Sequence, residues 1–343
     1  MRKLASVRRV SEIQPIPGAD AIVCATVDGW KVVVKKDEFI PGDLAVYFEV
    51  DSWIPNLIAP FLSKGKEPKE FNGIKGERLR TVKLRGQLSQ GLLVHLGAID
   101  IPWKNEYKED GYDLTEVLGI QKYEPPVSAQ LAGIVRGAWP SWIPKTDEER
   151  IQNLVNEWND ISNDCYEVTE KLEGSSMTVA MIEDEFIVCS RNLNLEESAT
   201  NSFWEQAHRY NIKQKLIDAQ ISNIAIQGEL VGEGVQGNHY DLKGRDFYVF
   251  AMYNIETGSY VSPSERRYLC ELFGLKHVPV ISEAHYITGA FDNDRTVEDV
   301  LTSADGYSMI NASKLREGLV FKSLSNDTNH WKAVSNEYLL KHG

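Results

Sequence analysis

A lysine and a glutamate stand two residues apart in the tetrad Lys171-Leu172-Glu173-Gly174. A lysine amine is a nucleophile only when it is neutral, so its ordinary pKa of about 10.4 must be lowered by burial, nearby cations or a metal ion. If Lys171 ends a strand, Glu173 leaves on the same side, and Gly174 allows a close turn. These residues could attack a phosphate covalently. In isolation, however, a surface strand end with a turn glycine is the simpler interpretation.

The elements that must position this lysine mix strands and helices, which is typical of an α+β body. A helix is expected over 202–216. Ser262 as a cap, Pro263 in the first turn and Glu265 as the box glutamate indicate another helix that ends at Gly274. Strands are predicted over 166–169, 178–182, 186–190, 224–231, 247–253, 318–322 and 331–334.

A third helix is predicted just before these elements. Thr146 with Glu149 three residues later forms a capping box. The apolar residues that follow fall on one helical face, as expected for a helix packed against a core. They are Ile151, Leu154, Val155 and Trp158.

The first hundred residues read as short strands and turns. Strands are predicted over 21–27, 30–35, 44–50, 79–84 and 91–96, with a tight Asp28-Gly29 turn between the first two. About five strands in this length suit a small closed barrel of the OB type, although spacing alone leaves other small β-barrels open. Residues 100–140 read as a connector rich in proline.

The bulk composition indicates an ordinary folded protein. A chain of 343 residues with 42% hydrophobic and 25% charged residues is long enough to form two domains, each with its own core. The start of the sequence lacks the apolar run of a signal peptide, and no stretch approaches the roughly eighteen apolar residues of a membrane span. We therefore expect a protein that works inside a cell, in cytoplasm or nucleus, or in a host cell if a virus encodes it. We expect no membrane partner.

Charge is distributed unevenly along the chain. The net charge is −13, yet residues 1–125 contain 18 basic and 18 acidic residues, so the acidic excess lies beyond them. Residues 64–85 form a local basic strip, which can hold nucleic-acid phosphates even on an acidic protein because distant charges are screened. A solvated, lysine-rich loop is the alternative. The candidate phosphate contacts are Lys75, Arg78, Arg80, Lys83 and Arg85.

Six segments in order resemble the motifs of the covalent nucleotidyltransferases, the superfamily of ATP-dependent RNA and DNA ligases and mRNA capping enzymes. The joint match from 166 to 335 is specific, whereas each piece alone is weak. The segments are 171–175 (motif I), 190–192 (Ser-Arg-Asn, motif Ia), 227–232 (Gln-Gly-Glu-Leu-Val-Gly, motif IIIa), 247–250 (Phe-Tyr-Val-Phe, motif III), 317–322 (Glu-Gly-Leu-Val-Phe-Lys, motif IV) and 331–335 (Trp-Lys-Ala-Val-Ser, motif V).

The amino-terminal half resembles the OB module of RNA ligase family 5 in segments 16–20, 27–34 and 41–49. DNA ligases and capping enzymes carry their OB fold after motif V, where this chain has almost nothing. The resemblance implies an OB-type barrel over 1–125 with its connector, followed by a mixed α+β nucleotidyltransferase domain of the ATP-grasp-like ligase type over 126–343. It also implies a monomer.

The implied activity is ATP-dependent RNA ligation through a lysyl-AMP intermediate and an adenylylated 5′-phosphate end. The implied partner is RNA with 3′-hydroxyl and 5′-phosphate ends at a nick in a duplex. Backbone contact should dominate, so we expect little sequence specificity. The family's cofactors are ATP and a divalent ion, Mg²⁺ or Mn²⁺.

Site roles follow from the same resemblance. Lys171 would be the nucleophile, and Glu173, Glu229 and Glu317 would hold the metal through its waters, as suits Mg²⁺. The other predicted site residues would bind the ribose, the base or the phosphates of the nucleotide. These are Arg191 and Asn192 in motif Ia, Phe250 stacked on adenine, Lys322 and Lys332 at the α-phosphate, and Arg150 in the lead-in segment 144–153. A surface arginine, a core aromatic and solvated lysines are the alternative interpretations.

One position departs from the family pattern. Motif V usually reads Lys-x-Lys, whereas this chain has His330-Trp331-Lys332. Imidazole supplies less positive charge at pH 7 than lysine. We therefore expect His330 to alter the pH dependence of adenylylation, Lys322 to compensate, or activity to be reduced.

Two other functions stay open at this point. A GTP-dependent mRNA capping guanylyltransferase would use the same lysine chemistry with another base. A non-catalytic RNA-binding protein on a ligase scaffold is the second alternative, for which His330 is the one hint. The joint presence of the nucleophile, the glutamates and the motif V lysine opposes it, namely Lys171, Glu173, Glu229, Glu317 and Lys332.

Overall fold

The computed structural model describes residues 2–125, 129–288 and 295–343. The chain forms two compact units. Met1–Pro125, Ile151–Glu157 and Leu339–Gly343 make up the first, and Pro126–Arg150 with Trp158–Tyr338 make up the second. The predicted second domain begins at residue 126, and residues 126–128 lie outside the described residues. In the ranges described, the helices are too short or too polar to cross a bilayer.

The first unit is built from short antiparallel strands. Its sheets have the orders β1-β5-β11, β2-β3-β4, β12-β6-β8-β7 and β10-β9. The strands are β1 (Ala5–Arg9), β2 (Glu12–Pro15), β3 (Ile22–Val27), β4 (Trp30–Lys35), β5 (Leu44–Phe48), β6 (Ser52–Pro55), β7 (Lys69–Phe71), β8 (Ile74–Arg78), β9 (Val82–Leu84), β10 (Gln87–Ser89), β11 (Leu92–His95) and β12 (Gln121–Lys122).

The predicted hairpin in this unit is confirmed. Val27 pairs with Trp30, which leaves Asp28 and Gly29 as the two turn residues. Asp28 adopts φ 49°, the left-handed conformation that tight hairpin turns require. Trp30 at the start of β4 is completely buried, as is Phe48 at the end of β5.

The second unit contains two larger sheets. One has the order β13-β18-β17-β16-β19-β20-β21 with β22 beside β20, and the other has the order β14-β25-β24-β15-β23. The strands are β13 (Val135–Ala138), β14 (Glu149–Arg150), β15 (Cys165–Lys171), β16 (Ser175–Ile182), β17 (Glu185–Cys189), β18 (Leu193–Leu195), β19 (Ile224–Gly232), β20 (Arg245–Asn254), β21 (Ser259–Tyr260), β22 (Lys276–His277), β23 (Val280–Tyr286), β24 (Gly318–Ser323) and β25 (His330–Val334).

Helices flank these sheets. The helix predicted over 202–216 is two helices that break at Asn211, whose φ is 50°. The helix predicted to begin after Ser262 is confirmed, because the Ser262 side chain accepts a hydrogen bond from the Glu265 amide. The α-helices are α1 (Ala129–Ala132), α2 (Trp158–Ser162), α3 (Ser202–Arg209), α4 (Ile212–Asp218), α5 (Pro263–Leu272), α6 (Val297–Ala304) and α7 (Asn336–His342), and 3₁₀ turns cover Pro60–Ser63, Leu96–Ala98, Glu106–Lys108 and Ile151–Asn153.

The helix predicted from Thr146 to Trp158 is wrong. Glu149–Arg150 form β14, which pairs in parallel with β25. A short 3₁₀ turn follows, and α2 begins only at Trp158. Strand pairing with a distant segment has overridden the local capping signal, as tertiary contacts commonly do.

Candidate active site

The chemistry centres on Lys171 at the end of β15. Lys171 lies opposite Gly318 in the pairing of β15 with β24. Glu317 immediately precedes β24, and its Oε1 lies 2.6 Å from Lys171 Nζ. The side chain of Lys171 is 25% exposed. Strand pairing thus joins two predicted site residues that are 146 positions apart.

The other two predicted glutamates approach the same lysine from neighbouring segments. Glu229 lies on β19 opposite Ser176, and Glu173 lies in the turn between β15 and β16. A Cβ at Gly174 would stand 2.3 Å from the carbonyl oxygen of Leu230 and 2.8 Å from Glu229 Cγ. The turn can pass this close to β19 only because residue 174 has no side chain.

The charged groups in this cluster change one another's pKa values. Burial alone would lower the pKa of Lys171, but Glu317, Glu229 and Glu173 together raise the pKa above its usual value. Burial, with Glu317 and Glu173, raises the pKa of Glu229 to about 8 despite the opposing charge of Lys171. The lysine is therefore held as a cation and Glu229 tends to keep its proton, so the cluster carries more carboxylates than its cations neutralise.

These carboxylates suit a hydrated divalent cation. Oxygen donors are what Mg²⁺ and Mn²⁺ prefer, and the raised pKa of Glu229 marks an acidic cluster short of positive charge. Within the described ranges, no three His, Cys, Asp or Glu residues are arranged to ligate one ion directly. The three glutamates nevertheless supply the type of oxygen donor that a divalent cation prefers.

Two tyrosines that sequence reasoning missed hold Glu173. The Glu173 amide donates a hydrogen bond to the Tyr240 hydroxyl at 2.7 Å. The Tyr338 hydroxyl donates to Glu173 Oε2. Tyr240 is 1% exposed and Tyr338 is 7% exposed. Tyr338 is 165 positions from its partner, so no local spacing in the sequence could have indicated this contact.

The predicted phosphate-binding cations Arg191 and Lys332 share one carboxylate. Asp147 Oδ1 lies 3.1 Å from Lys332 Nζ, and Asp147 Oδ2 lies 3.4 Å from Arg191 Nη2. The neighbouring Lys145 Nζ donates to Asn192 Oδ1 at 2.8 Å. Asp147 thus places negative charge between two groups predicted to bind a phosphate. It belongs to the segment predicted as helix, and the sequence carries no sign of this role.

Two more of the predicted residues, Arg150 and His330, lie on the paired strands β14 and β25. Arg150 is buried and lies opposite Lys332 in the strand register. His330 Nδ1 lies 3.6 Å from Glu148 Oε1. Burial would raise the pKa of Glu148, but the contact with His330 and the charges of Lys322 and Lys332 lower it to about 2. The imidazole of His330 therefore lies beside a carboxylate that is ionised at neutral pH.

Lys322 does not join the cluster around Lys171. It lies four residues beyond Gly318 on β24, which is about 13 Å along a strand. Its Nζ donates to the carbonyl oxygen of Phe250, and it lies 5.4 Å from the centroid of the Phe250 ring. Burial, with the charge of Arg266, lowers the pKa of Lys322 to about 7.

A cavity of about 260 Å³ opens beside Lys322. Its lining includes Glu148, Tyr260, Arg266 and His330. Phe250 itself is half-buried on β20 and packs with Leu172 and its neighbours. The hydrogen-bonding side chains that line this cavity therefore lie beside Lys322, towards the end of β24 away from Lys171.

The basic residues of the first unit differ in whether they contact other groups of this chain. Arg78 Nη2 lies 2.6 Å from Asp51 Oδ1, and Lys75 Nζ lies 2.6 Å from Glu67 Oε1. Arg80 donates to the carbonyl oxygen of Gly343. Lys83 and Arg85 are exposed on β9 and the turn that follows it. Among the residues that the structure describes, no ion pair involves either of these two.

Replacing His330 by lysine is expected to raise the rate of lysyl-AMP formation above pH 7. Lysine keeps its charge beside Glu148 at any working pH, and a stabilisation of roughly 0.5–1 kcal/mol corresponds to about a two- to fivefold rate increase. The measurement is transfer of labelled AMP to the protein at pH 8, with His330→Gln as a neutral control. Equal rates for wild type and His330→Lys would refute the expectation.

A lysine inside a carboxylate cluster, on a mixed α+β unit that accompanies an OB-type unit, defines the polynucleotide ligase class of nucleotidyltransferase. The chain belongs to the RNA ligase family. The profile of that family matches residues 164–335. An OB-fold domain profile matches residues 4–96. The prediction of an RNA ligase with an amino-terminal OB fold and a mixed α+β domain is confirmed.

Solved structures of a Naegleria gruberi RNA ligase are similar over the whole chain at 44% identity. A variant without ligand has a TM-score of 0.90 and covers 99% of this chain and 98% of its own. A variant with ATP and manganese has a TM-score of 0.91 and covers 99% of each chain. A form with pyrophosphate has a TM-score of 0.91 and covers 100% of this chain and 99% of its own. The chain matches no curated protein sequence.

Proposed function

We propose that this chain seals RNA breaks at the expense of ATP, joining a 3′-hydroxyl to a 5′-phosphate at nicks in duplexes. The observation that carries the proposal is the position of Lys171, whose amine contacts Glu317 and is surrounded by Glu229 and Glu173. Membership of the RNA ligase family supports it. So does the relative solved with ATP and manganese.

The proposed reaction has three balanced steps. The neutral amine of Lys171 attacks the α-phosphorus of ATP, forming a nitrogen–phosphorus bond while pyrophosphate leaves and the amine loses a proton. An oxygen of the RNA 5′-phosphate then attacks the phosphorus of AMP and breaks the nitrogen–phosphorus bond, so AMP moves to the RNA end and the lysine amine regains a proton. The 3′-hydroxyl oxygen of the other end attacks the phosphorus of the original 5′-phosphate and loses its proton to solvent, and AMP departs as the phosphodiester forms.

The glutamates would prepare the first step. In the absence of other cations they keep Lys171 protonated, which makes it a poor nucleophile. A divalent cation bound through water to Glu173, Glu229 and Glu317 would supply the positive charge that offsets these carboxylates and the charge developing on the α-phosphate. The lysine would then lose its proton more readily.

The nucleotide would lie along β24. Its phosphates would take the place of Asp147 between Arg191 and Lys332, with Asn192 nearby for ribose and the buried Arg150 alongside. These basic side chains would then bind a phosphate through charge-assisted hydrogen bonds.

The base would stack on Phe250. We assign Lys322 to the base end of the nucleotide, because its distance along β24 and its bond to the Phe250 carbonyl place it away from Lys171. This changes the role expected for Lys322 at the α-phosphate.

RNA would bind through the OB-fold domain, proposed to cover 1–125, while 126–343 carries the adenylylation chemistry. Lys83 and Arg85 are the best placed of the five basic candidates, because Lys75, Arg78 and Arg80 already contact groups of this chain. Exposed cations of this kind bind phosphates with little dependence on sequence.

The double substitution Lys83→Ala with Arg85→Ala is expected to weaken binding to a nicked RNA duplex and to flatten its salt dependence. If each side chain neutralises one phosphate, the slope of log affinity against log salt falls in magnitude by about 0.9 per contact. Fluorescence anisotropy between 50 and 200 mM salt measures this. Lys75→Ala is the matched control, since Lys75 is paired with Glu67. An unchanged slope in the double variant would contradict the assignment.

Incubation with labelled ATP and, separately, labelled GTP tests the proposal as a whole. Covalent label from ATP, followed by sealing of a nicked duplex, is expected. Label from GTP alone would identify a guanylyltransferase instead. If the protein binds RNA but takes label from neither nucleotide, it is a binding protein on a ligase scaffold. Nicked duplexes with RNA or DNA on each side would define the substrate.

A further inference from the structure

Tyr338 makes a contact that the proposed reaction does not by itself require. It lies in α7 (Asn336–His342), just past motif V, and its hydroxyl donates a hydrogen bond to Glu173 Oε2. Glu173 is one of the three carboxylates that surround Lys171. A residue beyond the last motif thus touches the cluster directly.

Tyr338 is itself held in place. Its amide donates to Ser335 Oγ at 3.0 Å, and that hydroxyl donates to Asp305 Oδ1 at 2.7 Å. The ring of His239 packs edge-on against it, with centroids 5.4 Å apart. The tyrosine as a whole is only 7% exposed, so packing restricts its movement.

The backbone of Glu173 is fixed independently. Its amide donates to the hydroxyl of Tyr240, and the carbonyl oxygen of Tyr240 accepts a bond of 2.9 Å from Asn311 Nδ2. Glu173 is therefore held at both ends, at the main chain by Tyr240 and at the carboxylate by Tyr338. A glutamate side chain without such contacts would sample several rotamers and a broad terminal torsion.

We propose that Tyr338 is a positioning residue for the divalent cation: its hydroxyl orients the Glu173 carboxylate toward the cluster of Lys171, Glu229 and Glu317. The proposal rests on the proposed function only in that these glutamates bind a cation. Groups that hydrogen-bond to metal-binding carboxylates set the orientation of those carboxylates, and their loss typically costs about 10–100-fold in metal affinity or activity. Tyr338 does not touch the nucleotide or the reacting atoms in this scheme.

Tyr338→Phe tests this by removing one oxygen atom. We expect the dissociation constant for Mn²⁺, measured by electron paramagnetic resonance titration, to rise about tenfold. The rate of AMP transfer should fall at limiting Mn²⁺ and recover to within about twofold at saturating Mn²⁺, because affinity rather than chemistry is affected. Unchanged Mn²⁺ affinity in a variant with wild-type thermal stability would overturn the proposal.

Tyr210→Phe is the matched control. Tyr210 also donates its hydroxyl to a carboxylate, Asp246 Oδ1 at 2.5 Å, in the same unit but outside the cluster around Lys171. Its removal should leave Mn²⁺ affinity unchanged. An equal loss in both variants would show a general effect of losing a tyrosine hydroxyl that binds a carboxylate, and would overturn the assignment.

A double-mutant cycle with Glu173→Gln separates positioning from folding. If Tyr338 acts through Glu173, then Tyr338→Phe should change Mn²⁺ affinity by less than about twofold in the Glu173→Gln background. Additive losses would overturn the proposal. Direct Mn²⁺ binding does not depend on ligation. A wild type that binds Mn²⁺ but takes no AMP would therefore refute the proposed function, while a Tyr338 effect on binding would still support this one.

Discussion

Replacement of Lys171 by alanine is expected to abolish covalent labelling from ATP, a loss on the order of 10³-fold or more, because no other group supplies the attacking amine. RNA affinity should stay within about twofold, since nucleic-acid binding is assigned to exposed cations on the first unit. The measurements are radiolabel transfer resolved on a denaturing gel and anisotropy with a nicked duplex. Covalent label that persists in Lys171→Ala would refute the assignment of Lys171 as the nucleophile.

Lys171→Arg separates the charge of the residue from its chemistry. Arginine keeps a cation beside Glu317 but stays protonated at every working pH, so it should also take no label. If alanine and arginine variants both fail while wild-type melting temperatures are kept, loss of the nucleophile is the cause. Lys276→Ala serves as a surface control, because Lys276 is half-exposed and paired with Asp246. It should label like wild type.

Local signals predicted much of the scaffold. The turn at Asp28 needs only two residues and a left-handed conformation, so its sequence is sufficient. The cap at Ser262 is equally local. Lys171 and Glu317 were expected to cooperate because the order of motifs resembles a known family, and the pairing of β15 with β24 brings them within 2.6 Å.

The remaining features depend on contacts between distant segments. A capping box at Thr146 indicated a helix, yet pairing with β25 makes Glu149–Arg150 a strand and lets Asp147 reach Lys332. Neither Tyr338 nor Asp147 stands at a spacing that predicts its partner.

From sequence alone, the five basic candidates of the first unit could not be distinguished as phosphate contacts. Only the fold shows that Arg78 is committed to Asp51 whereas Lys83 is exposed.

A large pH effect should come from Glu229. Its pKa in the folded, metal-free protein is about 8, raised first by burial and then by Glu317 and Glu173, against an ordinary value of 4.5. Between these values the folded state holds a proton that the unfolded state has released. The contribution of Glu229 to stability therefore falls as pH rises from about 4.5 to about 8, by at most about 1.4 kcal/mol per pH unit, and then levels off.

A divalent cation should offset this loss of stability. An ion bound beside Glu229 displaces the proton, so the stabilisation that Mn²⁺ gives should grow from pH 5 to pH 8 and then level off. Melting temperatures of the wild type with and without Mn²⁺ across this range measure the effect.

Glu229→Gln isolates the contribution of this one group. Glutamine mimics the protonated acid at all pH values, so this variant should lose less metal-free stability than the wild type as pH rises. It should also gain less from Mn²⁺ at pH 8, because a neutral amide cannot replace the charge that a cation compensates. Parallel pH profiles for the two proteins would mean that Glu229 is ionised in the metal-free cluster. A cation would then not be required for the three glutamates to be ionised together.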